Sequence, residues 1–160
     1  MEPILKFPNP LLFEPAAPVY VFGEELRILL DLMWETMEAN NGIGLAANQL
    51  GISLAMIVIK GPNGRLNMVN PAIYARSKLP ANLKEGCLSA PGDFIIVPDR
   101  VEWVEVCYFD EKGVAKRAVL KGLYSVCLQH EIEHLEGKSF MENKSIPKQI
   151  RKGLQKKWGF

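Results

Sequence analysis

The chain is poor in the residues that mark several whole classes of protein. It holds three cysteines in 160 residues, Cys87, Cys107 and Cys127. An odd number at wide spacing argues against a disulfide framework and predicts a reducing compartment. No apolar run approaches the roughly 20 residues that a membrane-spanning helix needs, so no membrane partner is expected. The formal net charge is only +1, which gives no bulk attraction to DNA or to an anionic lipid surface. The opening stretch Met1-Glu2-Pro3-Ile4-Leu5-Lys6 lacks the apolar centre of a secretion signal, so the expectation is a chain that is not secreted. Internal repeats, low-complexity tracts and linkers are also missing. One domain over residues 1–160 is therefore expected, long enough to bury a core.

Histidine is scarce too. The only two, His130 and His134, stand in Gln129-His130-Glu131-Ile132-Glu133-His134. On a helix, residues four apart lie on one face with Cβ atoms about 5–6 Å apart. Two imidazoles at that spacing can grip one metal ion. Glu131 projects about 100° round from His130, where it can reach a metal-bound water without being a ligand. This is the H-E-x-x-H arrangement, two ligands with a carboxylate beside them as general base. The preceding Leu123, Val126, Cys127 and Leu128 are apolar, as in a buried helix.

Around this stretch the chain reads as α+β. Five prolines in residues 1–22 predict an extended arm. From Gly23, the apolar residues Leu26, Leu29, Leu30, Met33, Trp34 and Met37 recur at helical spacing, with a stop at Asn40-Asn41-Gly42. Residues 52–60 and 66–75 read as strands about a Gly61–Gly64 turn, and 76–86 as loop. Further strands are expected at 95–97, 101–109 and 114–121, with a turn at Asp110–Gly113. A helix from Gly122 to about Glu136 carries the histidines and stops at Gly137. After Pro147, Lys148, Arg151, Lys152, Lys156 and Lys157 alternate with the apolar Ile150, Leu154 and Trp158, the pattern of a basic amphipathic helix. The fold expected is small antiparallel or mixed sheets packed around a central metal-binding helix, with one helix before it and one after.

A catalytic metal site commonly takes three protein ligands and keeps one position open. No histidine follows His134. Glu136 points to another side of the helix, while Glu142 stays open as a candidate ligand. Upstream, Glu85-Gly86-Cys87-Leu88-Ser89 offers a sulfur in a loop, a soft ligand for iron, cobalt, nickel or zinc. Cys107 and Cys127 read as core.

Three stretches, Gly42-Ile43-Gly44-Leu45-Ala46-Ala47-Asn48-Gln49, Glu85-Gly86-Cys87-Leu88-Ser89 and Gln129-His130-Glu131-Ile132-Glu133-His134-Leu135-Glu136-Gly137, resemble, in order, the three signature motifs of the peptide deformylases. That resemblance implies a hydrolase that removes the formyl group from the N-terminal formyl-methionine of nascent polypeptides. It implies Cys87, His130 and His134 as metal ligands and Glu131 as catalytic acid and base. Gln49 and the Leu88 N–H would hold the developing oxyanion, and Gly44 would let substrate backbone approach. Ile43, Leu83, Leu123, Val126 and Cys127 would line a pocket for the methionine side chain. The implied ion is Fe2+, with Zn2+, Ni2+ or Co2+ able to replace it, and the implied location is a bacterial-type cytoplasm or an organelle. The basic tail suggests contact with the ribosome.

The chain departs from the family pattern in two places. Glu133 stands where the helix motif usually has Asp, which predicts a changed contact behind the metal. Gly92-Asp93-Phe94 stands where many members carry Arg, which predicts altered preference downstream of methionine. Arg100 is displaced by one residue, yet is expected to pair with Glu85. From the residues alone, an H-E-x-x-H protease and a metal-stabilised binding module without activity remain open.

Overall fold

A helix buried on nearly every side lies at the centre of the fold. It is α2, Leu123–Leu135, and nine of its residues are buried, His130, Glu131 and His134 among them. Polar groups so enclosed need partners or a function, since an unpaired buried polar group costs about 1–3 kcal/mol. The structure, a computed structural model, describes residues 3–160.

Against α2 packs a five-stranded antiparallel sheet of β1 (Gly44–Ala46), β2 (Met56–Gly61), β3 (Gly64–Arg76), β6 (Trp103–Phe109) and β7 (Ala115–Lys121), in the order β1-β2-β3-β6-β7. Strand β2 explains why 56–59 read as an unbroken apolar run. Its Met56 and Val58 join the cluster that includes Leu26, Leu30, Met33 and Met37 of helix α1 (Glu24–Ala39), while Ile57 and Ile59 join Leu128 and Leu135 of α2. Both faces of the strand are therefore covered, and alternation disappears.

A separate antiparallel hairpin, β4 (Lys84–Cys87) with β5 (Ala90–Ile96), carries the upstream sulfur. Its register shifts between Glu85 and Cys87. Such an irregularity bends the strand and re-aims a side chain, here that of Cys87. The hairpin, the proline-rich arm and the tail form a third core of Phe7, Leu12, Val97, Phe140 and Ile146, among others, against which Leu154 and Trp158 pack. The arm is fixed by backbone hydrogen bonds from Leu5 N–H to Gln49 O and from Phe7 N–H to Ser89 O.

Several expectations need correction. Residues 84–86 form β4 rather than loop, because their hydrogen bonds come from β5, a partner that local periodicity does not show. Strand β2 starts at Met56 and not at Ile52, since Leu54 instead bridges Ala17 of the arm. Cys107 is not core: its side chain sits on the outer face of β6, partly exposed, near Ala72 O. In helix α3 (Lys148–Lys157), Ile150 is 51% exposed, so only Leu154 and Trp158 of the expected apolar face dock.

Candidate metal centre

Helix α2 presents His130 and His134 to the end of β4, and Cys87 meets them there. One donor atom from each of Cys87, His130 and His134 lies within 4.8 Å of the others, and all three residues are buried. Cys87 Sγ is 3.3 Å from His134 Nε2, which is 3.1 Å from His130 Nε2. A tetrahedron drawn with Zn–N and Zn–S bonds of about 2.0–2.3 Å has edges of roughly 3.3–3.6 Å, close to these separations. Among the described residues this is the one cluster of its kind.

The surroundings suit a cation. Glu85 Oε2 lies 2.6 Å from His130 Nδ1. Arg100 donates Nε to Glu85 Oε1 at 2.7 Å and Nη2 to Oε2 at 3.1 Å. Burial alone would raise the Glu85 carboxyl, yet His130 and Arg100 together hold it below its ordinary value. Glu85 is thus an acceptor, His130 Nδ1 is the donor, and Nε2 is turned towards Cys87 and His134. Burial likewise opposes charge on His130, but Cys87, Glu85 and Glu131 push the ring well above its usual value. Those neighbours favour positive charge at that nitrogen, which a proton or a divalent ion can supply. Burial, His130 and Arg100 hold His134 well below its usual value, neutral as a metal ligand must be. One sulfur and two imidazole nitrogens fit a soft or borderline divalent ion.

Glu131 is 4% exposed, and its Oε2 has no hydrogen-bond partner among the described residues. Desolvation, opposed by His130 and reinforced by Glu85, raises its carboxyl to about 7. An unpaired buried carboxylate that titrates near neutrality is suited to moving protons. It faces a cavity of about 460 Å³ that Cys87, His130, Leu88, Ile43, Gly44, Leu123, Val126 and Cys127 also line. At Gly44 a Cβ would lie 2.5 Å from Cys127 Sγ and 3.1 Å from Glu131 Oε1, so only glycine lets β1 pass this close. Leu83, expected in that lining, is instead 37% exposed and lies outside it. It precedes the register shift of the hairpin, and spacing alone does not show which way it turns.

Gln49 stands in the turn after β1. Its Oε1 accepts from Ala46 N–H at 3.0 Å, and its Nε2 donates to Ser89 Oγ at 3.1 Å, 3.8 Å from Cys87 Sγ. Glu133 accepts from Arg100 Nη1, so the longer acid at this motif position reaches the guanidinium that supports Glu85. Neither Glu136 nor Glu142 belongs to the cluster. Sequence reasoning passed over Ser89, although it closes the cysteine motif, and over Phe7, whose ring stacks on His134 with centroids 6.3 Å apart. Nothing in the local sequence marks Phe7, because the contact joins distant parts of the chain.

An H-E-x-x-H helix, a sulfur brought beside its imidazoles and an apolar cavity in front define a metallohydrolase site. Comparison with known proteins narrows the class. The profile of the family described as polypeptide deformylase matches residues 1–149. The peptide deformylase of Alkalilimnicola ehrlichii is 40% identical over 159 residues, which cover 96% of this chain and 88% of that protein. The crystal structure of the Thermus thermophilus peptide deformylase aligns with a TM-score of 0.89 at 36% identity, covering 98% of this chain and 92% of that one. That of a Synechococcus elongatus peptide deformylase in complex with actinonin aligns with a TM-score of 0.90 at 36% identity, covering 99% and 86%. The chain belongs to the polypeptide deformylase family, and its activity is deformylation; neither an internal peptidase nor a binding module without activity is favoured.

Proposed function

We propose that residues 1–160 act as one catalytic domain that hydrolyses the formamide of N-formylmethionyl peptides, with Cys87, His130 and His134 holding a single Fe2+ ion. Zn2+, Ni2+ or Co2+ would fit the same donors. The observation that carries this reading is the convergence of these three donors beside a buried, unpaired Glu131 on one apolar cavity. When bound, such an ion lowers the pKa of water and polarises a carbonyl oxygen.

The chain's own groups do the rest. Glu131 takes the proton from the attacking water as its oxygen bonds to the formyl carbon. Gln49 Nε2 and the Leu88 N–H donate to the formyl oxygen as charge grows there. Removing one such donor typically costs about 10²–10³ in rate. Glu131 then returns its proton to the leaving nitrogen, the C–N bond breaks, and formate and a free N-terminal amine result. Ile43, Leu123, Val126 and Cys127 offer the methionine side chain an apolar slot, and Gly44 leaves room for substrate backbone. Each methylene in such a slot discriminates by only about 1–3 kcal/mol, so norleucine in place of methionine is expected to be tolerated.

The setting would be a bacterial-type cytoplasm or an organelle. No described helix is long and apolar enough to cross a membrane. Helix α3 lies mostly beyond the matched family region, with Lys148, Lys152 and Lys156 exposed and Leu154 and Trp158 docked on the body. This basic outer face suits the phosphate backbone of ribosomal RNA, which would hold the enzyme near emerging chains.

The test is formate release from formyl-Met-Ala-Ser by protein purified without oxygen, with metal analysis of the same sample. Glu131→Gln should keep the metal and the fold and lose nearly all turnover. Retained turnover in that variant would remove Glu131 from the chemistry.

A further inference from the structure

Among the described residues, Phe94 is the one large aromatic side chain that both lines the cavity and stands in solvent, 66% exposed. Single exposed apolar residues are ordinary and call for no explanation. Phe94 differs in where it is held. Its ring lies against Gly86 of β4, where a Cβ would come within 2.5 Å of Cε1, and Gly86 is the residue before Cys87. Ile96, two residues on and therefore on the same face of β5, is 45% exposed, while Ile95 between them packs into the core.

The backbone at Phe94 is also anchored. The neighbouring Asp93 accepts from Trp158 Nε1 at 2.7 Å and from Lys157 Nζ at 2.9 Å, which ties this part of β5 to the end of α3. A side chain on a held strand loses little freedom when a ligand covers it, so more of the contact appears as affinity. The ring lies against the residue before Cys87, on the hairpin that carries that sulfur.

We propose that Phe94, backed by Ile96, is a specificity-determining residue that selects peptides with an aromatic or large aliphatic side chain in the first two positions after formyl-methionine. This rests on the deformylase reading above and extends it. The formyl end and the methionine side chain occupy the inner cavity. The chain beyond them must leave through the mouth, and each extended residue advances about 3.3 Å. The first residues to emerge therefore pass the ring over Gly86. An aromatic pair formed there is worth roughly three- to tenfold in binding. Phe94 touches none of the reacting atoms, so the gain falls on KM and leaves kcat alone.

The experiment measures kcat and KM of the metal-loaded enzyme for formyl-Met-Ala-Ser, formyl-Met-Ala-Phe and formyl-Met-Phe-Ser. At least one phenylalanine peptide should exceed the serine peptide by about three- to tenfold in kcat/KM, through KM. Phe94→Ser should reduce that ratio to near one, and Phe94→Tyr should retain it. A ratio near one in the unaltered enzyme, or a ratio that survives Phe94→Ser, overturns the proposal. Formate release from none of the three peptides would overturn the deformylase reading itself, and this proposal with it.

Discussion

Glu85 Oε2 lies 2.6 Å from His130 Nδ1, while Arg100 grips the same carboxylate through two hydrogen bonds. The pair sets which nitrogen of His130 carries a proton and which is free for a metal ion. Outer partners of this kind commonly change metal affinity by about 10–100-fold when removed. Arg100→Met would leave Glu85 buried and less well paired, and breaking a buried ion pair costs about 3–5 kcal/mol. We expect this variant to have a lower melting temperature and weaker metal retention. Thermal melts and competition with a chelator would show both; unchanged metal affinity would reduce Arg100 to a purely structural role.

The raised Glu131 carboxyl predicts a pH-dependent stability for the metal-free protein. Its carboxyl lies near 7 in the fold against an ordinary value of 4.5, so the folded state holds the proton more tightly. That contribution is complete below about 4.5 and is lost as pH rises through about 7. Glu131→Gln removes the titration. Melting temperature against pH should therefore fall less steeply across this window in the variant than in the unaltered apo-protein. Parallel curves would contradict the assigned shift.

Gly44→Ala would place a methyl group 2.5 Å from the Cys127 sulfur. Either Cys127 or the Glu131 carboxylate must then move. Overpacking of this kind typically costs about 1–3 kcal/mol, and here it falls on the cavity wall. Formate release should drop by at least tenfold, and Cys127→Ala in the same chain should recover part of it. Additive losses in the double variant would show that Cys127 is not the obstacle.

The exposed lysines of α3 should act in ribosome contact and not in hydrolysis. A Lys152→Glu, Lys156→Glu double variant should sediment less with ribosomes, and salt should weaken the unaltered protein in the same way. Turnover of a free formyl tripeptide should stay unchanged. Equal sedimentation of both proteins at low salt would end the ribosome reading.

Some of this protein was determined within single stretches of its sequence. Helix geometry alone sets His130 and His134 on one face with Glu131 beside them, and the Leu26-to-Met37 stripe alone marks the face that α1 buries. Arg100 was expected as a partner of Glu85 only through the family resemblance, and the structure forms that pair. Other features needed the fold. Cys87 and His134 are 47 residues apart and meet only because a pairing with β5 turns the sulfur inward. Leu83, placed in the pocket by the family resemblance, lies outside the cavity lining, and Cys107, which read as core, is partly exposed. The side of a strand or loop that becomes interior depends on what packs there, and α2, the arm and α3 are contributed from far along the chain. Local periodicity encodes the shape of an element, whereas its surroundings come from pairings between segments whose contact no short window of sequence contains.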